Sequence, residues 1–101
     1  MEIIKSATFD RWLTKLRDVR ARTRIQMRVD RLALGNPGDV KPVGEGISEM
    51  RIDYGPGYRV YFYQSGIAVI ILLCGGDKTT QDTDITNAKT IAARWKEGSH
   101  G

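Results

Sequence analysis

Arginines and carboxylates alternate on one side of a glycine-proline bend, and arginine and tyrosines alternate on the other. Glu49-Met-Arg-Ile-Asp53 runs into Tyr54-Gly-Pro-Gly-Tyr58, and Arg59-Val-Tyr-Phe-Tyr63 follows. In an extended chain, residues two apart share a face. A hairpin here therefore carries Glu49, Arg51, Asp53, Arg59, Tyr61 and Tyr63 on one surface and Met50, Ile52, Tyr54, Tyr58, Val60 and Phe62 on the other. Two neighbouring guanidinium forks suit bidentate contacts to phosphate oxygens. Tyrosine rings beside them suit stacking on an unpaired base, worth about 1–3 kcal/mol per base. The polar face reads as a site for RNA phosphates.

The bend sets an expected register. Closing the loop at Gly55-Pro56-Gly57 pairs Tyr54 with Tyr58, Asp53 with Arg59, Ile52 with Val60, Arg51 with Tyr61, Met50 with Phe62 and Glu49 with Tyr63. A slip of one residue would set apolar against charged side chains. In this register Arg59 either faces a phosphate or pairs with Asp53, a contact worth up to about 1 kcal/mol. Glu49 is the better placed of the two carboxylates to accept a proton. Lys78, in Gly75-Gly-Asp-Lys-Thr-Thr-Gln81, and Lys41, upstream of the hairpin, are further cations within reach of the same face.

The elements that position these residues follow from periodicity. Glu2 to Ala7 is expected to be a short strand, and Thr8 to cap a helix with Phe9, Trp12, Leu13 and Leu16 as its apolar stripe. After a break near Asp18, a second helix from Val19 to Leu34 buries Ile25, Val29 and Leu32 and ends at Gly35-Asn-Pro-Gly38. Its arginines 20, 24, 28 and 31 line one side, either as a solvated face or as a surface for RNA or an acidic protein segment. Asp39 to Gly46 is a loop or edge strand. The run Ile67 to Cys74 lacks alternation, as a strand covered on both faces does. Thr83 or Asp84 is expected to cap a last helix ending near Glu97. The order gives an α+β fold, a mainly antiparallel sheet with a helix pair on one face and the other face left to water or a ligand.

A chain of 101 residues with 41% hydrophobic content suits one domain, taken as residues 1–97 with 98–101 a frayed tail that includes the only histidine, His100. The net charge of +4 is uneven: residues 1–31 carry nine Lys or Arg against four acids. That half suits a polyanionic partner. Cys74 is the only cysteine and ends an apolar run, so it is expected to be buried and inert. There is no Walker loop or zinc-ligand cluster, so no cofactor or metal is indicated. No apolar run approaches a membrane span, and the cytoplasm is the expected compartment.

Several blocks together resemble the RelE/ParE superfamily of bacterial toxins, in particular its HigB-like, phage-related addiction module killer group. They are Phe9-Asp-Arg-Trp-Leu13, Arg20-Ala-Arg-Thr-Arg-Ile25, Gly35 to Gly44, Glu49 to Tyr61, and Gly75-Gly-Asp-Lys-Thr-Thr-Gln-Asp-Thr-Asp-Ile85. The resemblance implies a RelE-like fold and an endoribonuclease that cleaves mRNA, commonly on the ribosome. It also implies neutralisation by a cognate antitoxin, often a helix-turn-helix protein. Metal-independent cleavage needs a base for the 2′-hydroxyl, cations for the transition state and a proton for the departing 5′-oxygen. On this reading Arg51, Arg59 and Lys78 stabilise charge and Glu49 is the base. Tyr61 and Tyr63 hold bases, while Lys41, Arg24 and Arg28 touch RNA. The competing expectation is a ParE-like protein that inhibits DNA gyrase and cuts no RNA. A third is a degenerate relative that only binds its antitoxin and operator.

Overall fold

The computed structural model describes residues 1–98; the rest of the expected tail, His100 included, lies outside them. The chain runs β1 (Glu2–Lys5), α1 (Ala7–Lys15), α2 (Val19–Ala33), β2 (Val40–Gly44), β3 (Ile47–Ile52), β4 (Tyr58–Ser65), β5 (Val69–Gly76), a single 3-10 turn (Lys78–Thr80) and α3 (Gln81–Lys96). The five strands form one sheet in the order β1-β5-β4-β3-β2. β1 is parallel to β5 and every other pair is antiparallel.

Local chemistry explains the helix ends. Ser6, not Thr8, caps α1: its hydroxyl accepts from the Phe9 amide and donates to the Leu73 carbonyl, which ties the helix start to β5. Asp18 caps α2 through the Arg20 and Ala21 amides. The last helix begins at Gln81, earlier than Thr83 or Asp84, because the 3-10 turn carries its own capping box between Asp77 and Thr80.

Two cores sandwich the sheet. On one face, α1 and α2 bury Phe9, Ile25, Val29 and Leu32 against Met50, Ile52, Val60, Phe62, Ile70 and Leu72. On the other, α3 sets Ala88 and Ala92 over Ile47, Tyr61, Ile71, Leu73 and Cys74. The face expected to be left to water or a ligand is thus largely roofed by α3. β5 is covered on both sides, and an extra residue opposite the Tyr61–Phe62 step disrupts its pairing with β4.

The hairpin register differs from the expected one by two residues. Arg51 lies opposite Arg59, Glu49 opposite Tyr61, Met50 opposite Val60 and Ile52 opposite Tyr58. A shift of two keeps every side chain on its own face, so amphipathic pattern cannot tell the two registers apart. What separates them is the loop. Residues 53–57 bridge the strands with Gly55 and Gly57 at φ +59° and +80°. Asp53 falls outside the ladder, so the expected Asp53–Arg59 pair does not form.

Candidate functional site

Lys41, Glu49, Tyr61 and Cys74 form one row across four strands, and Arg51, Arg59 and Gly76 form the next. Antiparallel pairing alone sets the two guanidinium groups on one face of adjacent strands. Like charges directly opposite repel, so something must hold them.

Glu49 does so. It is fully buried, and its carboxylate accepts three hydrogen bonds: from Arg51 Nε at 3.2 Å on Oε1, and from Tyr61 Oη at 3.0 Å and Gln81 Nε2 at 2.8 Å on Oε2. Arg59 Nε, 3.5 Å from Oε1, is an ion-pair neighbour whose buried N–H has no hydrogen-bond partner among the described residues. A carboxylate offers about four lone-pair sites, and three of them are used here. Burial alone would raise the Glu49 carboxyl, but the hydrogen bonds from Gln81, Tyr61 and Arg51 and the charge of Arg59 bring it below its ordinary value. Glu49 is therefore ionised, and its buried contacts to both arginines suit an anchor for the two guanidinium groups; with its carboxyl held low it is a weaker base than an ordinary carboxylate.

The two arginines differ in access. The Arg51 side chain is 39% exposed and the Arg59 side chain 12%. Arg59 Nη1 donates to the Gly57 carbonyl at 3.1 Å, tying the guanidinium to the hairpin loop. Lys78 comes to the same loop from the 3-10 turn: a Cβ on Gly57 would lie 3.5 Å from Lys78 Cβ and 3.7 Å from Arg59 Nη1. Arg51, Arg59 and Lys78 are thus gathered at one end of the sheet, with the exposed Lys41 on the edge strand beside Glu49.

The tyrosines are elsewhere than expected. Tyr61 is fully buried under α3 with its hydroxyl on Glu49, so it has no ring face for a base; burial and the Glu49 carboxylate both push its hydroxyl upward. Tyr63 is half-buried toward the other end of the sheet, where the Lys96 ammonium lies 4.8 Å from its ring centroid. Neither joins the arginine cluster as a stacking platform.

Sequence reasoning missed Gln81 and Asp84. A Cβ on Gly76 would overlap the Asp84 carboxylate, so the absence of a side chain there admits an acid from α3 into the arginine row. Asp84 Oδ2 accepts from Thr80 Oγ1 at 2.5 Å; burial and nearby Asp77 raise its carboxyl against the lowering effect of that bond. Asp77 is instead held low, chiefly by hydrogen bonds from Thr79. The available signal was the glycine pair ending β5 and the polar run that follows it.

Arg24 and Arg28 lie behind the opposite face of the sheet. Arg28 donates to the Arg51 and Pro37 carbonyls at 2.6 and 3.1 Å, a structural use of the guanidinium. Arg24 stacks on Tyr54 at 4.8 Å. With Arg20, Arg31, Met27 and Asp53 they line a groove of about 620 Å³ beside α2. It is separate from the Arg51–Arg59 face.

Among the described residues, no group of three or more His, Cys, Asp or Glu is placed to hold a metal ion, and no helix is long and apolar enough to cross a membrane. Residues 11–96 match the family model described as phage-derived protein Gp49-like. An uncharacterized protein of Haemophilus influenzae is 52% identical over 92 residues, 91% of this chain and 93% of that protein. The matched span holds every residue of the arginine cluster, and the chain belongs to the Gp49-like family of phage-derived proteins, a RelE-like addiction-module killer group.

Proposed function

We propose that this chain is the toxin of a type II toxin–antitoxin module, an endoribonuclease that cleaves mRNA, presented by the ribosome, and is neutralised by a cognate antitoxin. One observation carries the reading: Arg51 and Arg59 stand opposite each other on one face, two guanidinium groups held by one buried carboxylate. A cation pair arranged before substrate arrives costs no reorganisation when charge develops on the phosphate.

In this reading the 2′-oxygen attacks the adjacent phosphorus, the bond to the 5′-oxygen breaks, and the products are a 2′,3′-cyclic phosphate and a 5′-hydroxyl. Arg51, Arg59 and Lys78 stabilise the pentacoordinate phosphate. The part of Glu49, buried and bonded to Arg51, Tyr61 and Gln81, is to hold the guanidinium groups in place, and the 2′-hydroxyl proton passes to solvent water. Asp84, raised by burial, is better suited than Asp77 to carry a proton toward the departing 5′-oxygen. Dependence on the 2′-hydroxyl confines the reaction to RNA.

The burial of Tyr61 removes one argument that separated this reading from a gyrase inhibitor built on the same fold. Primer extension on cellular mRNA after induction distinguishes the two. New 5′ ends within transcripts are expected; intact transcripts accompanied by DNA damage would select the inhibitor.

A further inference from the structure

We infer that Gln81 is a positioning residue of the arginine site: its side-chain amide docks the first turn of α3 on the Glu49 carboxylate, which keeps Lys78 beside Arg59 and the carboxylate aimed at both guanidinium groups. The inference rests on the reading of Arg51, Arg59 and Lys78 as the phosphate-binding cluster.

The connection is short in space and long in sequence. Gln81 Nε2 lies 2.8 Å from Glu49 Oε2, across 32 positions of chain. Gln81 is both the first residue of α3 and the C-cap of the 3-10 turn that begins at Lys78. That end of α3 has no side-chain cap. The other polar contacts there are mostly internal to the segment, Asp77 with Thr79 and Thr80 with Asp84, while the Cys74 thiol makes a weak contact to the Asp84 carbonyl. The Gln81 amide is the strong tie from this segment to β3.

The residue type matters as much as the contact. An amide donates to a carboxylate without adding charge, so Glu49 stays available to both arginines. A lysine or arginine at this position would compete with them for the same oxygens. A glutamate of equal length would set a second carboxylate against the first, and the two would share a proton.

Three variants test this with readouts that lost folding alone would not produce. In Gln81→Ala, kcat is expected to fall about tenfold or more, with a smaller change in KM. The Glu49 carboxyl, followed by carbon-13 NMR, is expected to titrate at higher pH than in wild type, because one of the hydrogen bonds that lower it is gone. In Gln81→Glu, the rate relative to wild type is expected to rise as pH falls from about 8 to about 5, since the introduced carboxyl can donate again once it is protonated. Gln81→Asn, one methylene shorter, is expected to behave like the alanine variant.

The groups acting on this carboxylate besides Gln81 are Arg51 on its own strand and Arg59 and Tyr61 on β4, with Lys41 level with it on β2. Asp77 and Asp84 act in turn on Arg59 and Tyr61, and Lys78 lies at the hairpin loop. Wild type and variants carry all of them, so the ratio of rates isolates position 81. A rate ratio flat with pH in Gln81→Glu, or wild-type kcat and Glu49 titration in Gln81→Ala, would overturn the inference. If the wild-type protein cuts no RNA, the NMR titration alone decides: a raised Glu49 titration in Gln81→Ala upholds the positioning role while the ribonuclease reading falls, and an unchanged one removes it.

Discussion

Three hydrogen bonds and an ion pair to Arg59 around one buried carboxylate make Glu49 the residue on which the site depends, and its titration has a definite sign. A carboxyl whose folded value lies below its ordinary 4.5 contributes stability above that pH and loses it as pH falls through the folded value. The thermal midpoint is therefore expected to drop below about pH 4.5, and Glu49→Gln to flatten that acid limb; an unchanged slope in the variant would place the acid sensitivity elsewhere. Tyr61→Phe removes a hydroxyl donor from the same carboxylate, and urea denaturation is expected to show a loss of about 1.5–3 kcal/mol. Cys74 is a check on burial: its thiol is pushed up to about 12 by its apolar surroundings. At pH 8, labelling by a thiol reagent should track global unfolding. Rapid labelling of the native protein would show the β5–α3 layer to be open.

At the scale of elements, the packing of α3 on β5 is what turns a polar sheet face into a defined site. Gly76 admits the Asp84 carboxylate, so Gly76→Ala is expected to displace the start of α3 and destabilise by about 1–3 kcal/mol, the range for overpacking, with a lower chemical-denaturation midpoint as its measure. Full stability in that variant would mean that the helix start shifts freely. The strands, the helix stripes and the two faces of the hairpin were legible in the sequence, because hydrophobic period reports them directly. The register was not, since a two-residue shift preserves every face. Nor was the roof over Tyr61: the apolar line Ile85, Ala88, Ile91, Ala92 and Trp95 announces a helix but not which layer it covers. Arg51, Arg59 and Lys78 could be singled out as candidates because their charges stand out in the hairpin and the loop after β5. Gln81 and Asp84 were missed because their roles depend on a contact to β3 and on the room that Gly76 leaves.

Across the whole molecule, positive charge sits on two surfaces with the sheet between them. The cluster of Arg51, Arg59 and Lys78 is compact and braced by a buried acid, whereas Arg20, Arg24 and Arg31 are exposed along α2. In the ribonuclease reading the first surface sets the chemical rate, and the second only adds affinity that weakens with salt. The measurement that tests this most directly is single-turnover cleavage of mRNA on translating ribosomes by Arg59→Ala and by the Arg24→Ala, Arg31→Ala double variant, with folding of each checked by thermal melting. Loss of one phosphate-stabilising group costs about a hundredfold to a thousandfold. A fall of that size is expected at saturating substrate for Arg59→Ala alone, with the double variant cutting at the wild-type rate. Full-rate cleavage by folded Arg59→Ala would contradict it.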